Sequence, residues 1–128
     1  MRFVKSSRLK KMLTRSKITM IYHENGLRYT CELFVKKELI GYFEIFIYQN
    51  IPSMNIHIED EYQEYGLSRK MVRFLIDHLN WDENTLLYID TDASNGFWDK
   101  FGMTENKNGN GYEKVVAIKD IFNGCIKN

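Results

Sequence analysis

The chain has 128 residues, of which 44% are hydrophobic and 27% charged, and its formal net charge is +1. These values are typical of one soluble globular domain, which we expect to span residues 1–128. No apolar run reaches the roughly 18 residues that a membrane-spanning helix needs, and the two cysteines form no C-x-x-C pair. The sequence therefore predicts no membrane span, no metal site and an intracellular, cytoplasmic protein.

The chain begins with a basic segment, residues 1–17. Seven Lys or Arg and no acid occur in the first 23 residues, whereas the remainder has eleven basic and seventeen acidic residues. Apolar residues spaced among the charges predict a short helix over residues 4–13. Residues 2–17 could contact nucleic acid, an acidic partner or a cofactor phosphate, or could act as a targeting peptide. A solvated helix face is the favoured interpretation of so short a run.

Antiparallel strands are predicted next. Residues 18–22, 27–35 and 39–48 are expected to be strands, because the last two alternate between the two faces of a sheet. Asn25-Gly26 is typical of a tight turn, and the short polar link after the second strand indicates a β-hairpin. Cys31 lies in this alternating pattern, and we expect it to be a small core residue.

The second half of the chain predicts a parallel unit. The only proline, Pro52, is expected to interrupt the chain before the next strand begins. The remaining predicted elements are a strand at residues 54–58, a helix at 67–79, a buried strand at 86–90, a short helix ending at Gly102, a loop at 108–111 and a last strand at 112–118. This order indicates an α/β (α+β) fold with a mixed sheet of about five to six strands, in which the antiparallel hairpin comes first.

Residues 58–71 are the most informative part of the sequence. A strand leads through Gly66 into an amphipathic helix, and the first N–H groups of a helix have no internal partners and carry the positive end of its dipole. Glycine lets backbone approach a phosphate without a Cβ atom. The amides from Tyr65 to Arg69 are therefore expected to bind an anion such as a pyrophosphate.

Two segments carry a family resemblance. Gln63-Glu64-Tyr65-Gly66-Leu67-Ser68 resembles the acyl-CoA-binding motif Gln/Arg-x-x-Gly-x-Gly/Ala of the GNAT acetyltransferase superfamily. The segment from Ser94 to Met103, which reads SNGFWDKFGM, resembles the family's small-x-x-Phe-Tyr-x-Lys-x-Gly-Phe block. The resemblance covers about residues 53–103. It implies a GNAT-like sheet and transfer of an acetyl group from acetyl-CoA to a primary amine, without a metal.

The resemblance also implies which residues hold the cofactor. The pantetheine arm would pair like an extra strand with backbone near Ile58 and Asp60, and the pyrophosphate would lie on the loop that follows. The expected cofactor-binding residues are Ile58, Asp60, Gln63, Tyr65, Gly66, Leu67, Ser68, Arg69, Asn95 and Trp98.

The sequence departs from the family pattern at the catalytic positions. Trp98 replaces the usual tyrosine acid, and an indole N–H does not give up its proton. Pro52 and Met54 occupy positions where the family often has a base. The remaining candidates are Tyr88 on the fifth strand and Glu44 on the third, each of which is more often a structural residue.

His57 and Glu59 alternate onto the face opposite Ile58, which argues against either as the base. The chain has only about 26 residues before its hairpin, and the family usually has a strand and two helices there. An open acceptor side is therefore expected, suited to a lysine or N-terminus of a protein or peptide, although a homodimer could supply the missing wall. The alternatives are an acyl-CoA-binding or regulatory module without turnover, and a nucleic-acid-associated member that uses residues 2–17.

Overall fold

The structure is a computed structural model that describes residues 18–63, 66–91 and 97–126. The basic segment 1–17 and the helix predicted within it lie outside the described residues, as do Tyr65 and Asn95. Within the described ranges, no helix is both long and apolar enough to cross a membrane.

One mixed sheet forms the body of the fold. In the described residues its strands are β1 Ile18–Asn25, β2 Arg28–Val35, β3 Glu38–Tyr48, β4 Ile51–Ile58, β5 Leu86–Ile89, β6 Thr104–Glu105 and β7 Lys114–Ala117. Their order in the sheet is β1-β2-β3-β4-β5-β7-β6. All neighbours are antiparallel except β4 and β5, which are parallel. The predicted mixed sheet is confirmed, with seven strands in place of five or six.

The described residues contain helices α1 (Leu67–Leu79) and α2 (Ile118–Ile126). They also contain two 3₁₀ helices, Asp60–Tyr62 before α1 and Phe97–Phe101 after β5. Helix α1 has the predicted bounds. Its buried side chains recur three or four residues apart, so they form one apolar stripe that packs on the sheet. The buried side chains of α1 are Leu67, Met71, Val72, Leu75, Ile76 and Leu79.

Two-residue turns join the first four strands. Lys36 and Lys37 link β2 to β3, and Gln49 and Asn50 link β3 to β4, all with positive φ between 50° and 68°. Positive φ at both central residues is the type I′ geometry, whose twist matches that of the flanking strands. Gly26 begins the β1–β2 turn with φ 62°. The first four strands are therefore a continuous meander with no helix in its connections.

Pro52 lies inside β4, and the prediction that the strand begins after it is wrong. Pro52 directly follows the Tyr48–Ile51 pair that closes the turn. Ladder hydrogen bonds alternate along an antiparallel pair, so the Pro52 nitrogen faces away from β3. On its other side β4 pairs with β5 only at Ser53. The missing N–H therefore costs the sheet no hydrogen bond.

The C-terminal region also differs from the prediction. The last strand is shorter than residues 112–118, because helix α2 begins at Ile118, and the short strand β6 was not predicted. Apolar Ile118 and Ile121 are buried in the core. A Cβ on Gly124 would lie 2.9 Å from the Phe101 Cα. The missing side chain thus lets α2 contact the backbone of the second 3₁₀ helix.

Cys31 is fully buried on β2 beneath α1, which confirms its predicted core position. Burial, and to a lesser degree the nearby charge of Glu32, raises the pKa of the Cys31 thiol to about 12 from an ordinary value of 9.0. The folded chain therefore keeps this proton to higher pH than the unfolded chain. The free energy of unfolding should fall as pH rises from about 9 toward 12, and this group should not change it below that range.

We expect Cys31 to resist thiol reagents in the folded protein. In a Cys125→Ser background, an aromatic disulfide reagent at pH 8 should label one thiol only after denaturant is added, because attack requires an accessible thiolate. The measurement is the labelling rate at rising guanidinium concentration. A native-state rate equal to that of the unfolded chain would contradict the placement of β2 in the core.

Candidate functional site

A cleft forms where β4 and β5 diverge. The two strands are paired in parallel only at Ser53 and Tyr88, although β4 continues to Ile58. The facing edges beyond this pair present backbone N–H and C=O groups without a neighbouring strand, which an extended ligand can pair with. The resulting cleft has a volume of about 750 Å³ and is lined by β4, β5, the loop before α1 and the second 3₁₀ helix.

The N-terminus of α1 opens into this β4–β5 cleft. Gly66 is the N-cap, in the left-handed conformation with φ 77° and ψ 9°. Because it is a glycine, no side chain of the N-cap residue bonds to the amides at the helix start. A Cβ atom at Gly66 would meet nothing within 4 Å, so the space before the helix is open. The first intrahelical bond runs from Lys70 N to Gly66 O at 3.2 Å. The amides of Leu67 and Ser68 thus lie at the positive end of the helix dipole, where an anion is stabilised.

Gln63 shapes the loop between β4 and α1. Its Nε2 donates to the Ile58 carbonyl oxygen at 3.0 Å and to Asp60 Oδ1 at 3.2 Å. These bonds hold the 3₁₀ turn against the end of β4. The Gln63 side chain therefore positions the backbone of this loop, and its role toward a cofactor stays a prediction.

Aromatic rings form the opposite wall of the cleft. Trp98 is 4% exposed, and its ring lies 6.3 Å from Phe43 and 5.5 Å from Phe101, measured between centroids. The Arg69 guanidinium lies 5.8 Å from the centroid of Phe101. Arg69 is thus partly buried against the wall by a cation–π contact, which holds its charge near the helix start.

Among the described residues, Tyr62 is the one tyrosine that lines the cleft. Burial raises its pKa, and the carboxylates of Glu61, Glu38 and Glu59 raise it further. A phenol with a raised pKa stays protonated through neutral pH, so it can donate a hydrogen bond but is a weak acid.

Most predicted cofactor residues meet in this cleft. Tyr65 and Asn95 lie outside the described residues, so their roles stay predictions. The predicted residues that line the cleft are Ile58, Asp60, Gln63, Gly66, Leu67, Ser68, Arg69 and Trp98.

The two predicted catalytic residues are not among the residues that line the cleft. Arg28 Nη1 donates to both carboxylate oxygens of Glu44, at 2.9 Å each. Tyr88 is buried, and its hydroxyl oxygen accepts a hydrogen bond from Asn108 Nδ2 at 3.2 Å. Both side chains are held by structural contacts, and their catalytic roles stay predictions.

Sequence reasoning set His57 aside, yet it lines the cleft together with Asn55. Both lie on the face of β4 opposite Ile58, as the alternation predicted. Their positions matter because β5 turns away from β4 beyond the Ser53–Tyr88 pair, so that both faces of β4 border the cleft. The His57 ring lies 5.8 Å from the ring of Tyr42, its cross-strand partner. The local alternation could not have identified His57, because only the divergence of β5 from β4 brings it to the cleft.

No protein-family model matches the chain, and no curated protein sequence does. Solved structures do match. The chain is similar over 72% of its length to 67% of the ribosomal-protein-S18-alanine N-acetyltransferase of Escherichia coli, with 19% identity and a TM-score of 0.53. It is similar over 69% of its length to 58% of the PaiA N-acetyltransferase of Thermoplasma acidophilum in complex with coenzyme A, with 17% identity and a TM-score of 0.52.

A third similar structure is the Campylobacter jejuni N-acetyltransferase PseH in complex with acetyl coenzyme A. The match covers 87% of this chain and 76% of that one, with 12% identity and a TM-score of 0.51. These three proteins are GNAT N-acetyltransferases. At such identities the likeness is one of fold, and the chain has the GNAT fold.

Proposed function

We propose that the chain is an acetyl-CoA-dependent N-acetyltransferase that acts on a primary amine. One observation carries the proposal: β4 and β5 diverge after a single pair, and the glycine-capped start of α1 faces the gap. This arrangement offers unpaired strand edges for an amide-rich arm and a helix N-terminus for a pyrophosphate within one cleft. The GNAT fold supports the same proposed function.

In the proposed complex, each part of acetyl-CoA has its own partner. The pantetheine arm pairs with the edge of β4 near Ile58 and Asp60. The pyrophosphate lies against the amides of Gly66, Leu67 and Ser68, with Arg69 beside them. The resemblance adds Tyr65 and Asn95 to this set. Trp98 packs along the arm and donates its indole N–H toward the sulfur.

The proposed reaction needs no metal. The neutral amine nitrogen attacks the thioester carbonyl carbon, and the oxyanion that forms accepts a hydrogen bond from backbone N–H near Ile58. The C–S bond then breaks, the acetyl group stays on nitrogen, and CoA leaves as a thiolate. We propose that the His57 imidazole takes the proton that the amine loses. Water in the cleft returns a proton to the thiolate, because Trp98 does not ionise.

Trp98 also favours a second candidate, an acyl-CoA-binding or regulatory module without turnover. The cleft would then hold acetyl-CoA while the reaction lacks an acid at the sulfur. Proximity of amine and thioester supplies much of the rate in such transfers, so the absent tyrosine lowers activity without excluding it.

The test is incubation with radiolabelled acetyl-CoA and three acceptor sets: polyamines, lysine peptides and whole proteins. We expect label to transfer to an amine in at least one set, identified by mass spectrometry as N-acetylation. Release of acetate with no labelled acceptor would support the module instead. A concentration of 1 mM is about the upper end of ordinary KM values. No change in melting temperature at 1 mM acetyl-CoA would therefore contradict both proposals.

A further inference from the structure

Gly41 and Gly124 each lie against the backbone of one wall of the cleft. A Cβ atom on Gly41, in β3, would lie 2.7 Å from the His57 carbonyl oxygen of β4. A Cβ atom on Gly124, in α2, would lie 2.9 Å from the Phe101 Cα and 3.0 Å from the Lys100 carbonyl oxygen. Neither glycine has a positive φ. Each is therefore explained by the close approach of two backbones, and not by a conformation that other residues avoid.

Gly41 lies behind the wall that β4 forms. It is paired with Ile58, and the same Cβ atom would lie 3.1 Å from Ile58 Cγ1 and 3.3 Å from Ile58 Cα. In the sheet, β4 lies between β3 and the gap toward β5, and β3 is held on its other side by β2. A side chain at position 41 would therefore move the end of β4 away from β3 and into the cleft.

Gly124 lies behind the aromatic wall. The second 3₁₀ helix lines the cleft, whereas none of the described residues of α2 does, so this wall lies between α2 and the cleft. Helix α2 is held at its start by a hydrogen bond from the Ile118 N–H to the Thr85 carbonyl oxygen at 2.9 Å, and Ile121 is buried in the core. A side chain at position 124 would therefore move the aromatic wall toward β4.

The displacement would be small but large enough to affect a bound ligand. Carbon atoms in van der Waals contact lie about 3.5–4.0 Å apart, so each pair of backbones would have to separate by roughly 0.5 Å or more. Protein interiors are close-packed and transmit such a displacement. Binding sites hold their groups to within about 0.5 Å of the productive geometry, so a movement of this size is expected to weaken binding.

We propose that Gly41 and Gly124 are positioning residues that set the width of the cleft from behind its two walls. They would thereby fix the spacing that acetyl-CoA requires between the edge of β4 and Trp98. This inference rests on the proposed function. Neither glycine contacts the ligand in the proposed complex, because each acts through the backbone of a wall. A purely structural role would change the stability of the fold, but not the affinity of the folded cleft for its ligand.

The first experiment measures the Kd of acetyl-CoA by isothermal titration calorimetry, at a temperature at which circular dichroism shows that every variant is folded. The variants are Gly41→Ala and Gly124→Ala, and the matched control is Gly26→Ala. The control adds the same methyl group in the β1–β2 turn, where a Cβ atom would meet nothing within 4 Å. Its φ of 62° makes alanine unfavourable there, so the control also loses stability.

We expect Kd to rise about tenfold in Gly41→Ala and in Gly124→Ala, which on a logarithmic scale is half of the roughly 100-fold effect of a 1 Å misplacement. In Gly26→Ala the Kd should equal that of the unmodified chain. If Gly41→Ala or Gly124→Ala lowers Tm but leaves Kd unchanged, the positioning role of that glycine is overturned.

Trp98 fluorescence tests the movement of the aromatic wall without any ligand. The chain has two tryptophans, so Trp81→Phe leaves Trp98 as the only one. In this background Gly124→Ala should increase the quenching of Trp98 by acrylamide, because the indole is 4% exposed and a displaced wall packs less closely against Phe43. Gly26→Ala should leave the quenching unchanged.

Equal quenching in Gly124→Ala and Gly26→Ala would overturn the positioning of the aromatic wall. Increased quenching in Gly124→Ala, in a protein whose unmodified chain binds no acetyl-CoA, would contradict the proposed function and still support the positioning of the wall. The two ideas therefore fail separately.

Discussion

Gly66→Glu is expected to abolish the stabilisation of the protein by acetyl-CoA. For the unmodified chain, acetyl-CoA at 100 times its Kd should add about 2.7 kcal/mol to the free energy of unfolding, which raises Tm by roughly 10 °C for a chain of this size. In Gly66→Glu the shift should be absent at 1 mM acetyl-CoA. The measurement is a thermal melt followed by circular dichroism with and without the ligand.

The physical reason is local charge. A Cβ at Gly66 points into open space at the start of α1, where the pyrophosphate is expected. A glutamate there brings a carboxylate to the helix N-terminus and competes with the phosphate for the amides of Leu67 and Ser68. The left-handed φ of 77° adds a cost of about 1–2 kcal/mol to the folded state for any side chain.

Gly66→Asn is the matched control, since asparagine tolerates the left-handed conformation and carries no charge. We expect Gly66→Asn to keep most of the ligand-induced shift. A full shift in Gly66→Glu would contradict the placement of the pyrophosphate at this helix. Equal loss in both variants would mean that backbone strain, and not charge, disrupts the loop.

His57→Gln should lower kcat/KM for the best acceptor about 100-fold, the lower end of what a general base contributes. Glutamine keeps the polarity and approximate size of the side chain but cannot accept a proton at neutral pH. The acetyl-CoA-induced change in Tm should stay as in the unmodified chain, because the proposed cofactor site uses the β4 backbone and the start of α1. Steady-state kinetics at fixed saturating acetyl-CoA measures the effect.

His23→Gln is the control for His57→Gln. His23 lies on β1, is exposed, bonds to Glu32 and is not among the residues that line the cleft. The His23→Gln variant should leave kcat/KM unchanged. A loss of less than about threefold in His57→Gln would show that water or another residue removes the amine proton, and Glu44 and Tyr88 would be the next variants to measure.

The elements with strong local signals were predictable. Helix α1 was predicted with its observed bounds because its apolar residues recur at the period of one helix face, and β2 and β3 alternate with period two. The position of Gly66 at the start of α1 was predicted from its place in the sequence between a predicted strand and a predicted helix. These signals depend on neighbours in sequence, so a single chain contains them in full.

Elements set by distant contacts were missed or misplaced. Pro52 was read as a strand breaker, yet it lies inside β4 because β5 pairs with that strand only at Ser53. Helix α2 was not predicted, since Gly124 weakens a helix by itself and is explained only by its approach to Phe101. A local pattern cannot report which backbone a glycine must approach.

The sequence by itself determined the strand–glycine–helix unit at residues 58–79 and hence the expected cofactor loop, because backbone conformation there follows from nearest neighbours. Only the tertiary structure decided which side chains share the cleft. The divergence of β4 from β5 brings His57 and Asn55 to it, while register and ion pairing hold Glu44 and Tyr88 elsewhere. Strand divergence is a property of how elements pack, and so it arises from contacts that no short segment encodes.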